Sequence, residues 1–309
     1  MKQKRIIAVF LSVILMLSIF PVTVNADMGP KASVRILFEN MGDELCYGTL
    51  LSQKPSTGPA TVWDGEDKYA RHNENANYSY AALDYATWKA FVEYKDADGY
   101  YFLQEGWLVS ETKKIEWTYY PPYNFKILLY YPETQTFVVS GIYEKYAFDT
   151  YYTVDMDGIN ISSVEYDEEL STNERIEAYR SYNYRQELLS LAARIVLTIL
   201  AEMAVGLLFG FRNKKQLLFL VGMNTATQIL LNVLLNVINY HSGPLAFVLI
   251  YILLEIAVIV LEAVLYCIWM KRWSQKPRKN WFYVLYALIA NSVSFITGLL
   301  IAQWLPGIF

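Results

Sequence analysis

The side chains best placed to do chemistry in this sequence are three glutamates set in long apolar runs, Glu202, Glu255 and Glu262. An ionised carboxylate at bilayer depth costs at least about 2.5 kcal/mol even on lenient insertion scales, so each must hold a proton, find a partner or face a polar interior. Glu255 and Glu262 are seven residues apart, which at about 100° per residue sets them within about 20° on one helical face. Amides accompany them: Asn224, Gln228, Asn232 and Asn236 recur at four-residue spacing, and Asn291 lies in the last apolar run. Measured from the basic ends of their segments, Glu202, Asn224, Glu262 and Asn291 are similarly deep, so the spacing predicts one polar layer. Two chemistries fit that layer: a proton or cation site, or neutral acids and amides hydrogen-bonding helix to helix. The amide ladder through Gln228 and Asn232 divides the same way, between interhelical glue and the wall of a substrate path.

Nearer the N-terminus, Asp96-Ala97-Asp98-Gly99 and Asp155-Met156-Asp157-Gly158 repeat the pattern D-x-D-G. Oxygen ligands this dense can hold calcium, which makes Asp96, Asp98, Asp155 and Asp157 candidate ligands; Asp-Gly is also the commonest two-residue hairpin turn. Tyrosines come in pairs, Tyr100-Tyr101, Tyr119-Tyr120, Tyr130-Tyr131 and Tyr151-Tyr152. In an alternating strand one of each pair faces the core and the other faces out. Outward aromatic rows suit stacking on a glycan or peptide, and ordinary β packing is the alternative. Histidine occurs only as His72 and His241, which excludes an H-E-x-x-H zinc site. Ser110-Glu111-Thr112-Lys113 matches S-x-x-K but has no K-T-G or S-D-N companion. No P-loop motif occurs either. The expectation is a protein that is not an enzyme and carries no cofactor.

These residues lie in two unlike halves. Asp27 to Arg185 holds 26 acidic and 14 basic side chains, whereas Glu187 onward holds 4 acidic and 9 basic ones. A field as acidic as that of the first half repels nucleic acid and anionic headgroups, so neither is its expected partner. Before it, three positive charges in Met1 to Arg5, an apolar run from Ile6 to Phe20 and the small residues of Val24-Asn25-Ala26 make a signal-peptide pattern over 1–26, with an uncleaved anchor as the alternative. Residues 27–170 then read as an all-β, Ig-like antiparallel sandwich outside the cytoplasm. Its strands are Ser33 to Phe38, Trp88 to Tyr94, Tyr100 to Leu103, Lys114 to Tyr120, Phe125 to Tyr131, Thr136 to Ile142 and Thr150 to Val154. Ser171-Thr172-Asn173-Glu174 fits a capping box, predicting a helical connector over 171–187.

The remainder, 188–309, reads as a four-helix transmembrane domain with spans at 188–211, 217–240, 245–270 and 281–304, each able to cross about 30 Å of hydrocarbon. Arg212, Lys214 and Lys215 mark the first connection and Lys271, Arg272, Lys276, Arg278 and Lys279 the third, while His241-Ser242-Gly243-Pro244 carries no Lys or Arg. Basic residues stay inside. The first and third connections are therefore expected in the cytoplasm, with the N-terminal domain and the C-terminus outside a plasma membrane. Trp269, Trp273, Trp281 and Trp304 fall at the expected interfaces, and Arg194 can snorkel back to water. The lone Cys46 reads as a small buried side chain or, in an oxidising compartment, as one half of an intermolecular disulfide.

Glu202 with Leu208-Phe209-Gly210-Phe211-Arg212, Asn224 with Thr227-Gln228 and Asn232, Glu255 with Glu262, and Asn291 with Ser294 and Gly298 carry a likeness. On these residues, and on Phe38-Glu39-Asn40-Met41-Gly42-Asp43-Glu44 and Tyr119-Tyr120-Pro121-Pro122, the chain resembles a recurring group of uncharacterised four-span membrane proteins of Gram-positive bacteria with an exported N-terminal domain. The resemblance implies the architecture and a bacterial envelope location, and no mechanism. The expected function is an exported domain binding an extracellular or cell-wall ligand, a glycan or a partner protein, with the helices in membrane lipid as anchor. The alternative is a transporter or channel component built on the polar layer.

Overall fold

A computed structural model describes residues 30–54, 56–57, 60–62, 83–159 and 176–304, the side chains at 56–57, 60–61 and 298–304 excepted. The signal-peptide pattern and the Ser171–Glu174 capping box lie outside the described residues. Two compact units result, one of Lys31–Tyr182 and one containing Asn183–Phe309.

The first unit is built on sheets that curl into a half-barrel. Strands β1 (Ser33–Glu39), β2 (Tyr47–Ser52), β3 (Ser56–Thr57), β4 (Ala60–Thr61), β5 (Tyr101–Phe102), β6 (Trp107–Leu108), β7 (Lys114–Trp117), β8 (Asn124–Tyr131), β9 (Thr136–Val139), β10 (Tyr143–Glu144), β11 (Asp149–Asp155) and β12 (Ala178–Arg180) follow in chain order. One sheet runs β12-β11-β1-β7; another runs β10-β8-β2-β5, with β6 beside β2 and β9 beside β8. Pairing is antiparallel except between β1 and β11, which are parallel in the register Ser33 to Asp149 through Glu39 to Asp155. In β1, Val34, Ile36 and Phe38 are buried in alternation, as a one-sided strand requires. Strand β8 differs, with every residue from Phe125 to Tyr131 buried. Phe125, Ile127, Leu129 and Tyr131 face a core shared with Val34, Ile36, Tyr152 and Val154. Leu128 and Tyr130 face a second core with Trp88, Phe91 and Phe102.

That second core corrects one expected strand, because Trp88 to Glu93 belongs to helix α1 (Tyr85–Glu93), with Tyr94 capping its end. The carboxylate of Asp84 accepts from the Thr87 amide at 2.7 Å, Thr87, Trp88 and Phe91 are buried on one side, and Lys89 pairs with Glu93 at 3.7 Å. Those are the cap, the helical spacing and the i,i+4 pair of an amphipathic helix. A one-turn helix, α2 (Val109–Thr112), follows β6. The unit is therefore not all-β.

The connector is corrected as well. Ala178–Arg180 forms β12, paired with Tyr152, Thr153 and Val154 of β11, because the edge of a buried strand needs backbone partners that a helix cannot supply. Arg180 lies 4.5 Å over the Tyr146 ring and bonds Glu144 at 2.9 Å. Cys46 is fully buried, as the reading of a small buried side chain expects. Burial pushes its thiol from 9.0 up to about 12, against a weaker pull from Tyr131.

The second unit starts at α3 (Tyr184–Leu208), where the Asn183 side chain accepts from the Gln186 amide at 3.1 Å. Helix α4 (Lys214–Leu265) follows, broken at Gly243 (φ 79°, ψ −179°) just before Pro244, and it continues as a π-helical turn, Tyr266–Met270. The break stands where sequence alone set a loop between two spans. Helix α5 is Asn280–Trp304. Tyr184–Leu208 and Lys214–Met270 are each long and apolar enough to cross a membrane. The two parts of α4 face each other: Thr227 Oγ1 donates to Glu262 at 2.9 Å, and Gln216 Nε2 to the Met270 carbonyl at 3.0 Å.

Candidate functional site

Helical spacing brings the expected layer together inside the second unit. Asn224 Nδ2 donates to Glu202 Oε2 at 2.8 Å and to the Leu220 carbonyl at 3.0 Å. On the second carboxylate, Thr227 Oγ1 donates to Glu262 Oε1 at 2.9 Å and Asn291 Nδ2 to Oε2 at 2.8 Å. Glu202 is 1% exposed and Glu262 0%. Every donor to these two carboxylates named here is neutral. Moreover, Glu202 Oε1 and Asn224 Oδ1 are buried without a hydrogen-bond partner. Buried polar atoms are almost always satisfied, so an open carboxylate oxygen and an open amide oxygen on two side chains already bonded to each other are the feature a bound proton or a small cation would complete.

Gln228 and Asn232 stand apart from the carboxylates. Asn232 donates to the Gln228 carbonyl at 2.8 Å, and its Oδ1 accepts from Arg194 Nη1 at 2.8 Å. Arg194 is thus held by an amide inside the helices. Glu255 is only partly buried and lines a cavity of about 380 Å³ together with Arg194, Gln228, Asn232 and Asn291. Asn291 therefore touches both the cavity and Glu262. At the opposite end of the layer, aromatic rings close the interior. Phe211 stacks on Tyr283 at 6.1 Å and meets Tyr286 edge-on at 4.9 Å, and the Tyr286 hydroxyl donates to the Glu202 carbonyl at 3.1 Å. Tyr266 and Tyr286 escaped the sequence reading, which weighed acids and amides alone; tyrosines in apolar runs of similar depth were the available signal.

In the first unit the calcium reading fails at Asp96 and Asp98. Lys126 Nζ lies 2.9 Å from Asp96 Oδ1 and 2.5 Å from Asp98 Oδ2, so the cation between them is an ammonium from β8. Burial alone would lower the Lys126 pKa, but its bonds to Asp98 and Asp96 leave it raised. Asp96 Oδ2 also accepts from the amides of Asp98 and Tyr100. Asp155 Oδ1 accepts from Asn40 Nδ2 at 2.9 Å and the Asp157 amide at 3.0 Å, bonds that hold its pKa below the usual range. It is a turn acceptor, with Gly158 at φ 75° beyond it. Among the described residues no three His, Cys, Asp or Glu gather as a metal site.

The tyrosine pairs follow the expected alternation in part. Tyr100 is buried and Tyr101 exposed, but Tyr130 and Tyr131 are both inside because β8 has a core on each face. Tyr119, Tyr120 and Tyr123 are all exposed, and Lys31 lies 5.8 Å and 5.6 Å over the rings of Tyr119 and Tyr120.

No protein family, curated protein or solved structure matches this chain.

Proposed function

We propose that this is an integral membrane protein of a cell envelope, with four spanning helices in one bundle, that binds a proton or small cation at Glu202 and Glu262 as a transporter or channel component. The carrying observation is the pair of buried carboxylates held by neutral donors, with one oxygen of Glu202 and one of Asn224 left open. Four passes are supported by length. At about 1.5 Å per residue the run Lys214–Met270 would extend about 85 Å, nearly three times the hydrocarbon thickness, and it breaks at Gly243 where the chain folds back. Helix α5 supplies the remaining pass. The basic residues near 212–215 and 271–279 then lie in the cytoplasm, and the β-rich unit lies outside with the C-terminus.

Two measurements test this reading. Cysteines placed at Ser242 and at Ser274, in a chain without Cys46 and Cys267, are expected to react with an impermeant maleimide from opposite faces of the membrane. Glu202→Gln and Glu262→Gln are expected to abolish a proton- or cation-dependent flux in proteoliposomes at normal expression. A fall in expression with flux per molecule unchanged would make the carboxylates structural.

A second reading keeps the β-rich unit as a binder of an extracellular glycan or peptide. The exposed Tyr119, Tyr120 and Tyr123 favour it, since aromatic faces stack on sugars and prolines. Loss of glycan-array binding on Tyr120→Ala is the expected result, and absence of binding by the parent protein would dismiss it.

A further inference from the structure

We infer that the cavity of about 380 Å³ among the helices binds a lipophilic organic cation, a ligand with one positive charge on a largely apolar body. This rests on the proposed membrane reading and adds a second, larger site beside the carboxylate layer. The volume falls in the range of about 300–1,000 Å³ typical of small-molecule pockets. One wall is aromatic: Phe247 stacks on Tyr251 at 6.0 Å and Tyr251 on Phe295 at 5.9 Å, with interplanar angles of 18° and 25°. Glu255 lies one turn beyond Tyr251, and both line the cavity. A carboxylate beside stacked rings recognises a cation twice, by charge and by the negative ring faces.

Charge decides against an anion. Arg194 also lines the cavity, but its guanidinium donates to Asn232 and lies within electrostatic reach of Glu187. Glu255 and Arg194 are the charged residues on the cavity wall, and with Arg194 engaged by Asn232 the Glu255 end is the negative pole. Leu197, Leu231, Val248 and Ile252 supply apolar surface for the body of the ligand. Asn291, on the floor, donates to Glu262, so a ligand at Glu255 sits against the residue that holds the deeper carboxylate.

The test uses two ions of one shape and opposite charge, tetraphenylphosphonium and tetraphenylborate, with the full chain in lipid nanodiscs and equilibrium dialysis against empty discs. Saturable binding of the phosphonium is expected, with the borate weaker. Glu255→Gln should weaken the phosphonium at least about tenfold. Should that variant fail to fold, Val248→Trp, which fills the cavity from its wall, should abolish binding instead. Equal or tighter borate binding, no saturable phosphonium binding, or binding indifferent to the folded variants would overturn the site. Glu262→Gln separates the two ideas: lost flux with retained phosphonium binding supports both, retained flux with Glu255-dependent binding removes only the carboxylate-layer reading, and flux lost at Glu262→Gln with no phosphonium binding removes only this one.

Discussion

Asn291 on α5 places its amide nitrogen 2.8 Å from Glu262 Oε2, while the Thr227 hydroxyl closes the other oxygen at 2.9 Å. Three helical segments therefore meet on one carboxylate that water does not reach. Asn291→Ala removes one interhelical bond and leaves a buried acceptor, so a loss of about 1–2 kcal/mol is expected. Thr227→Ala should cost about the same. Because both act through Glu262, neither should cost its full amount in a Glu262→Leu background, as neighbouring sites are non-additive. Reversible unfolding in mixed micelles measures this cycle. Full additivity would mean that the three side chains do not work through one another.

Gly243 stands at φ 79° and ψ −179°, a region essentially reserved for glycine. Gly243→Ala is expected to lower stability by about 1–3 kcal/mol or to shift the fold-back between the two parts of α4. Pro244→Ala should matter less, since its missing N–H falls where a new helix begins and no intrahelical partner is due. Thermal unfolding of both variants, with crosslinking between cysteines at 227 and 262, reads stability and geometry together. Equal effects at the two positions would place the constraint in the proline.

Alkali should loosen the β-rich unit in a definite order. Cys46 rises from 9.0 to about 12 on folding, chiefly by burial; burial likewise raises Tyr47, Tyr100, Tyr130 and Tyr131. A folded value above the unfolded one means that the unfolded chain loses its proton first. The contribution of Cys46 is thus whole below pH 9 and declines as pH rises towards 12. Cys46→Ala should flatten the first part of that decline in a pH series of melting midpoints. Native Cys46 should resist a thiol reagent at pH 8 until the unit opens. Fast labelling of the folded protein would show the thiol to be accessible.

Whatever depends on period and depth is legible in the sequence. Glu202, Asn224, Glu262 and Asn291 meet because residues at one depth of adjacent helices can meet. Thr227 was beside them in the sequence, but its bond to Glu262 depends on which helices face each other, and periodicity does not choose partners. In the first unit, Phe125 to Tyr131 was legible as a strand from its composition. Its burial on both faces was not, because α1 covers one of them and the run Trp88 to Tyr94 carries strand-forming residues. Asp84, Lys89 and Glu93 were the overlooked helical signals. Strand β2 escaped notice although it pairs with β8, β5 and β6. Gly48 interrupts its pattern, and a Cβ there would come within 2.6 Å of Val109, so the glycine is required by packing and not by a turn.

Lys126 is the clearest case of a residue whose neighbours reverse its expected place. A lysine in the run FKILLYY belongs on the wet face, yet its side chain is 5% exposed and its ammonium meets the fully buried carboxylate of Asp96. Breaking such a pair costs about 3–5 kcal/mol because the remaining charge has no partner, so Lys126→Met should destabilise the unit by that order. Asp98→Asn should cost less than about 1 kcal/mol, since that carboxylate is mostly exposed and screened by solvent. Adding Asp96→Asn to Lys126→Met should recover part of the loss, because the amide oxygen can still accept from the backbone at 98 and 100 while no charge stays buried. The folded Lys126 pKa is raised, so its contribution is complete below about pH 10.4 and is lost as pH climbs through the higher folded value. An ammonium already bridging Asp96 and Asp98 leaves no place for calcium. The melting midpoint of the parent protein should be indifferent to calcium and to a chelator, and a calcium-dependent rise that Asp98→Asn removes would return this turn to the metal-binding reading.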